Sequence, residues 1–396
     1  MKDWMLSGGW IWTRDGFVRA DLHGKGEYIV AVLSEKEGQP PSLPGTRSFS
    51  EEQMSVWSVN DRFLTPGLWD LSWKDESLLF TSHSSRQDLL SHGVTTIQVL
   101  VPADGEMISS LLQQDIQPMD PQSHHSPLHT ILHPVANSLA EWVDFLQTGL
   151  RSGIGNGAYS IGGLFLQVDN EQGDPLWPKG ELKRCAYVAQ SNHWQVLLSC
   201  NQTRNLPQAI EAFIHCKDCP IPTSFPHRLV APPVLNESLL HISLHLPLAI
   251  DVQGHLLHRL WQPLKNKKPG GSYARLRDWV FSPYFHLISG GDYPVGLGQW
   301  KAAEEQLLSL LQQENRDCGE SPPLEQLQQM VRSACLKAAT ERPARHSPAG
   351  RRFKGLQEEM FANLLVLQQN PLRERRLGLY PHLERVMLWG AWIDFC

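Results

Sequence analysis

The apolar positions of this chain follow two different periods. Near the N-terminus they come in short alternating runs: Trp10-Ile11-Trp12, then Phe17-Val18-Arg19-Ala20-Asp21-Leu22, then Tyr28-Ile29-Val30-Ala31-Val32. Arg14-Asp15-Gly16 between the first two runs is a turn, with glycine where a positive φ is needed. This pattern predicts an N-terminal β-meander. Residues 35 to 50 are polar and proline-rich and predict a loop.

From about residue 86 the pattern becomes strand–helix alternation. A short helix near Arg86–His92 leads into Gly93-Val94-Thr95-Thr96-Ile97-Gln98-Val99-Leu100-Val101-Pro102. A near-continuous apolar run after a helix-ending glycine is how a buried parallel strand reads. Further strands are predicted at Thr130-Ile131-Leu132, Gly157–Phe165, Gln195–Asn201, Arg228–Pro232, His241–Leu248 and Phe285–Pro294, with helices at 139–150, 182–191, 300–313 and 324–340. Strands alternating with helices argue for a parallel sheet covered by helices.

Composition narrows the classes. A chain of 396 residues can bury a large core and hold more than one domain. Net charge is −6 with acids and bases interspersed, so no basic stripe marks a nucleic-acid partner. No apolar run approaches the ~18 residues of a membrane span, and the N-terminus lacks the apolar core of a signal peptide. The seven cysteines are scattered and odd in number, which fits reduced thiols. A cytoplasmic protein is therefore expected.

Several clusters resemble one family in order. Phe63-Leu64-Thr65-Pro66-Gly67-Leu68-Trp69-Asp70-Leu71-Ser72-Trp73-Lys74 resembles the first barrel strand of an amidohydrolase, Pro-Gly-hydrophobic-hydrophobic-Asp-x-His-x-His. Gly93-Val94-Thr95-Thr96 resembles its second strand. Gly9, Asp15-Gly16, Ala20-Asp21 and Ile29–Val32 fit the opening strands of dihydroorotases, hydantoinases and allantoinases. Arg342-Pro343-Ala344-Arg345, Lys354-Gly355, Ala362–Leu367 and Val386–Ile393 resemble the return to a small β-domain. The resemblance runs along nearly the whole chain, on the cyclic-amidohydrolase side of the superfamily. It implies an α/β fold, a TIM-like (β/α)8 barrel spanning 63–349, with a small β-sandwich from 1–62 plus 350–396.

It also implies where chemistry should sit, at the C-terminal ends of the barrel strands. The family's metal ligands are missing there. Ser72 and Lys74 stand where the first-strand histidines belong, Gly163 in place of the carbamylated lysine, Ser199 and Pro232 for the next histidines, and Leu248 for the one in Cys-Pro-His. Asp292 alone keeps its place, that of the aspartate that binds metal and takes the proton from water. Asp104 and Tyr293 are further barrel-mouth candidates. A catalytic divalent site needs about three protein ligands, so no metal or other cofactor is expected.

Other metal patterns fall short. His215-Cys216-Lys217-Asp218-Cys219 has no second Cys-x-x-Cys pair and reads as a polar loop with free thiols. His124, His125, His129 and His133 read as loop histidines, because Pro127 breaks a helix. His241 and His245 read as partly buried strand histidines. No Gly-x-Ser-x-Gly elbow marks a serine triad.

Two functions stay open. One is a non-catalytic amidohydrolase homologue, a scaffold or regulatory subunit for a partner enzyme or in a homodimer. The other is a metal-independent enzyme acting on a cyclic amide or related C–N bond, with Asp292 and Lys74 as acid and base, and with Ser72, Ser199, Asp104 and Tyr293 holding a small cyclic-amide-like ligand.

Overall fold

The computed structural model describes residues 3–34, 54–74, 83–113, 128–246, 248–262, 275–288, 296–318, 322–373 and 383–393. The N-terminal meander is present as β1 (Asp3–Thr13), β2 (Gly16–Lys25) and β3 (Tyr28–Ser34), all antiparallel neighbours. Two short strands, β4 (Met54–Ser58) and β5 (Phe63–Pro66), run parallel to β1.

The chain then enters alternating units. β6 (Leu68–Lys74) is followed by α1 (His83–Ser91), β7 (Val94–Pro102) by α2 (Gly105–Gln113), and β8 (His129–Val135) by α3 (Leu139–Gln147). Next come β9 (Tyr159–Ile161), β10 (Leu164–Gln167), α4 (Glu181–Ser191), β11 (Val196–Ser199) and α5 (Leu206–Lys217). β12 (His227–Val230), α6 (Glu237–His245), β13 (Leu248–Gln253), α7 (Leu257–Leu260), α8 (Leu276–Val280) and β14 (Phe285–Ile288) complete the set. Helices α9 (Gly296–Asp317), α10 (Leu324–Ala339) and α11 (Glu341–Arg345) lead back to β15 (Leu364–Leu367), β16 (Leu383–Leu388) and β17 (Ala391–Ile393).

Strands β6, β7, β8, β10, β11, β12, β13 and β14 pair in that order, all parallel, and β6 and β14 come together so that the barrel nearly closes. The last three strands join the N-terminal ones in a second, mixed sheet ordered β17-β16-β15-β5-β1-β2-β3. This is the expected TIM-like barrel with a β-sandwich from both termini. The terminal sheet takes the chain through Pro66, because β5 pairs with β15, and Gly67 N donates to Asn363 O as the chain turns into the barrel.

Each barrel strand alternates faces. Leu166, Leu198, Leu229, Ile250 and Val252 point outward into the helix layer and are fully buried there. Local caps place the helices. Ser138 accepts from Glu141 N at the start of α3, and Asn236 accepts from Leu239 N at the start of α6. The sheet and barrel meet on aromatic rings, with Phe353 stacked on His129 at 4.0 Å and edge-on to Trp69 and Trp389. Among the described residues, no helix is long and apolar enough to cross a membrane.

Three expectations are corrected. Residues 241–245 belong to a helix, not to the seventh strand: the Asn236 cap starts α6, and Leu239, Leu240 and Ser243 bury one helical face. His241 and His245 sit one turn apart on it with their rings 4.0 Å apart, and the seventh strand is β13. His129 and His133 are not loop residues but lie fully buried on β8. Cys216 is buried at the end of α5 and Cys219 contacts Ser191 Oγ at 3.3 Å, so this stretch is a helix terminus rather than a polar loop. His124 and His125 lie outside the described residues.

Candidate functional site at the barrel mouth

Parallel ladder partners share a face. Phe165, Leu197 and Arg228 pair across β10, β11 and β12, and two residues on, Gln167, Ser199, Val230, Asp251 and His286 form the next row. This face points into the barrel, because Arg228 on β12 reaches across it to Gln98 on β7.

A buried polar chain fills the interior. Arg228 donates from Nε (2.9 Å) and Nη2 (2.5 Å) to Asp251 Oδ2, and from Nη1 to Gln98 Oε1 (3.0 Å). Asp251 Oδ1 accepts from His286 Nδ1 at 2.8 Å. The other ring nitrogen, Nε2, lies 2.9 Å from Nδ1 of His346, just after α11. With both rings neutral, His346 Nδ1–H donates to His286 Nε2, and His286 Nδ1–H donates to Asp251. His133 joins the layer through Nδ1, 2.9 Å from Gly163 O.

Charge follows from burial. Burial drives the Asp251 carboxyl up, but the Arg228 guanidinium and the His286 hydrogen bond outweigh it and hold the group below its ordinary value. Burial pushes His133 down to about 3, assisted by Arg228. His346 falls to about 2, mainly by burial and then by the neighbouring His286. The layer is one ion pair with neutral histidines around it.

Toward the mouth the lining turns apolar. Leu100, Val135 and Val230 each stand two residues beyond Gln98, His133 and Arg228, on the same face of the same strand. They cluster with Phe165, Leu197 and Ala231. These apolar groups continue the inward faces of β7, β8 and β12 toward the mouth, beside the polar chain. The inward residues at the described strand ends are Gln167, Ser199, Val230, Gln253 and Ile288. They offer amides, one hydroxyl and alkyl groups.

The sequence candidates divide accordingly. Ser199 is half-buried at the C-terminal end of β11. Asp104 is exposed after β7, and its Oδ1 accepts from the N–H groups of Glu106 and Met107, which caps α2. Pro232 follows β12. Ser72 and Lys74 are on the backbone of β6, but their side chains, like Asp292 and Tyr293, lie outside the described residues.

Two positions fall at the wrong end of the barrel. Gly163 precedes β10, and Leu248 opens β13, so both belong to the N-terminal side; the mouth-side residues are Gln167 and Gln253. The stretch 157–165 is two strands, with Gly162-Gly163 between them. A Cβ on Gly162 would lie 2.3 Å from the His133 ring, and one on Gly163 would meet Leu197 at 2.4 Å. Those glycines let the chain pass close to its neighbours, and Gly163 is no stand-in for a ligand.

The polar chain was missed in the sequence. Its signal is a lone charged or imidazole residue inside an apolar run: Arg228 in His-Arg-Leu-Val, Asp251 in Leu-Ala-Ile-Asp-Val-Gln, His286 in Phe-His-Leu-Ile.

A nearly closed parallel barrel carrying a sheet from both chain ends is also found in solved structures that match over almost the whole length. A Xaa-Pro dipeptidase with bound methionine superimposes with a TM-score of 0.60 at 10% identity, covering 99% of this chain and 100% of that one. Atrazine chlorohydrolase from Arthrobacter aurescens, complexed with zinc, gives 0.60 at 12%, covering 98% and 94%. The A. niger ochratoxinase gives 0.54 at 15%, covering 99% and 95%. These likenesses show the fold, and they extend beyond the cyclic amidohydrolases. No protein-family model matches the sequence, and neither does any curated protein.

The zinc of one neighbour raises the question of fit. Among the described residues no group of three or more His, Cys, Asp or Glu converges as a metal site. Asp251, His286 and His346 form a line rather than a cage, and Arg228 already holds Asp251. A divalent ion beside that guanidinium is electrostatically disfavoured. The described lining does not fit a catalytic metal.

Proposed function

We propose that this chain is a non-catalytic amidohydrolase homologue that serves as a scaffold or regulatory subunit for a partner enzyme. The supporting observation is the lining of the barrel interior. Metal-assisted hydrolysis needs ligands converging on an open coordination position. Here an Arg228–Asp251 pair occupies the barrel interior, and alkyl groups of Leu100, Val135 and Val230 follow Gln98, His133 and Arg228 on the mouth side of their strands. A carboxylate neutralised by arginine keeps the barrel filled without a cation. The scaffold is kept while the described strand ends carry Gln167, Ser199 and Gln253 in place of acids and histidines.

Affinity purification of the full chain from its native cells, paired with hydrolysis assays on hydantoin, dihydroorotate, allantoin and a Xaa-Pro dipeptide, tests this. A stoichiometric enzyme partner without turnover by the chain alone is expected. Turnover of any of these substrates by the isolated chain overturns the reading.

A further inference from the structure

A cleft of about 510 Å³ opens between the β1–β2 turn and helix α10, on the side of the barrel where β14 begins. It is lined by Trp12, Arg14, Phe281, Met330, Lys337 and Arg342, among others. Three of these are cations, and Asp15 is the one acid among the described residues of the wall.

Arg342 is the informative residue. It is 8% exposed, yet no carboxylate lies within ion-pairing distance of its guanidinium among the described residues. Its Nη1 donates to Val280 O (3.1 Å) and Phe285 O (3.2 Å), and its Cζ lies 5.8 Å from the Phe285 ring centroid. Nε and Nη2 have no acceptor among the described residues, and neither is sealed inside the protein. They are the part of the side chain left to the cleft. The neighbouring Glu341 is occupied: it accepts from Trp12 Nε1 at 2.6 Å and from Arg345 Nη2. Burial lowers Arg342 only to about 10, so the charge stays on at neutral pH. Lys337 has no acid partner among the described residues either. Its Nζ donates to Arg14 O at 3.2 Å and stands 5.7 Å from the Trp12 ring centroid.

A nearly buried cation with unused donors is costly unless an anion meets it. Arginine's planar donor fork suits a carboxylate or phosphate. The aromatic and thioether walls suit an apolar body attached to that anion. We propose that this cleft binds a small organic anion, whose carboxylate or phosphate pairs with Arg342 and Lys337 and whose apolar part packs on Trp12, Phe281 and Met330. The site is separate from the barrel mouth, so this inference stands or falls independently of the catalytic reading.

Calorimetric titration with phenyl phosphate and with benzoate tests it, with phenol as the uncharged control. Saturable binding of at least one anion at one site per chain is expected, with none for phenol. Lys337→Gln alters a half-exposed side chain and should weaken binding by about tenfold, the loss expected for one charge-assisted contact. Ser333→Trp fills the cleft and should abolish binding, while Ser199→Trp at the mouth should leave it unchanged. No saturable heat from either anion, or binding lost in Ser199→Trp but kept in Lys337→Gln and Ser333→Trp, overturns the proposal.

Discussion

Arg228 grips one oxygen of Asp251 with two nitrogens, at 2.9 and 2.5 Å, where the two side chains are 2% and 0% exposed. Removing one charge of such a pair strands the other in a low-dielectric interior. Asp251→Asn is expected to destabilise the fold by about 3–5 kcal/mol. Arg228→Met combined with Asp251→Asn removes both charges while keeping an acceptor for His286, and should cost less than Asp251→Asn alone. Urea denaturation of the three variants against the parent checks this; a double variant less stable than Asp251→Asn contradicts it.

The buried histidines predict acid sensitivity. His129 and His133 are held at about 3, His227 at about 4 and His346 at about 2, chiefly by burial. Folded values below the unfolded one mean that the unfolded chain binds more protons in acid. Their contribution is fully present above about pH 6.5 and is lost as pH falls from there toward the folded values. Each such group removes about 1.4 kcal/mol per pH unit inside its window. Urea midpoints should fall between pH 7.5 and 5, and His346→Gln should make that decline shallower by one group's share.

Gly162 touches the same layer from below. A Cβ there would stand 2.3 Å from the His133 ring, inside a packed interior. Gly162→Ala is expected to cost about 1–3 kcal/mol through overpacking. Thermal unfolding reads the loss, and an unchanged midpoint would show that His133 can move aside.

Asp104 offers a test of cap against ligand contact. Its carboxylate accepts two N–H groups at the start of α2. Asp104→Ala should cost about 1 kcal/mol and Asp104→Asn much less, because both Asp and Asn cap well. Equal stability of all three chains would free the carboxylate for another role.

Lys74 and Asp292, whose side chains lie outside the described residues, define the rival chemistry. The non-catalytic reading expects Lys74→Gln and Asp292→Asn to leave partner binding intact and to remove no hydrolysis, since none is present. Any amide turnover by the parent that both substitutions abolish would establish metal-independent acid/base catalysis by that pair.

The fold was readable where local chemistry and tertiary role agree. Pro66-Gly67 ends the sheet and Leu68 begins the barrel, and Gly93 with the run after it marks β7. It was misread at 241–248, where alternating His and apolar residues mimic a strand. The decision there lies at Asn236, whose side chain caps α6. The mouth was mislocated at Gly163 and Leu248 because a strand's apolar run does not say which end faces the site. The polar layer was out of reach for a different reason. Gln98 and Arg228 are 130 positions apart in sequence, and Asp251 and His286 belong to two further strands. Only barrel closure makes them one network.

On the proposed non-catalytic reading, the barrel is filled by its own ion pair in place of a catalytic metal. Metal content of the full chain, purified from zinc- and manganese-supplemented cells and measured by inductively coupled plasma mass spectrometry, tests it most directly. Substoichiometric metal, unchanged in Asp292→Asn, is the predicted result. One or more equivalents of a divalent metal per chain, lost in Asp292→Asn, would contradict it.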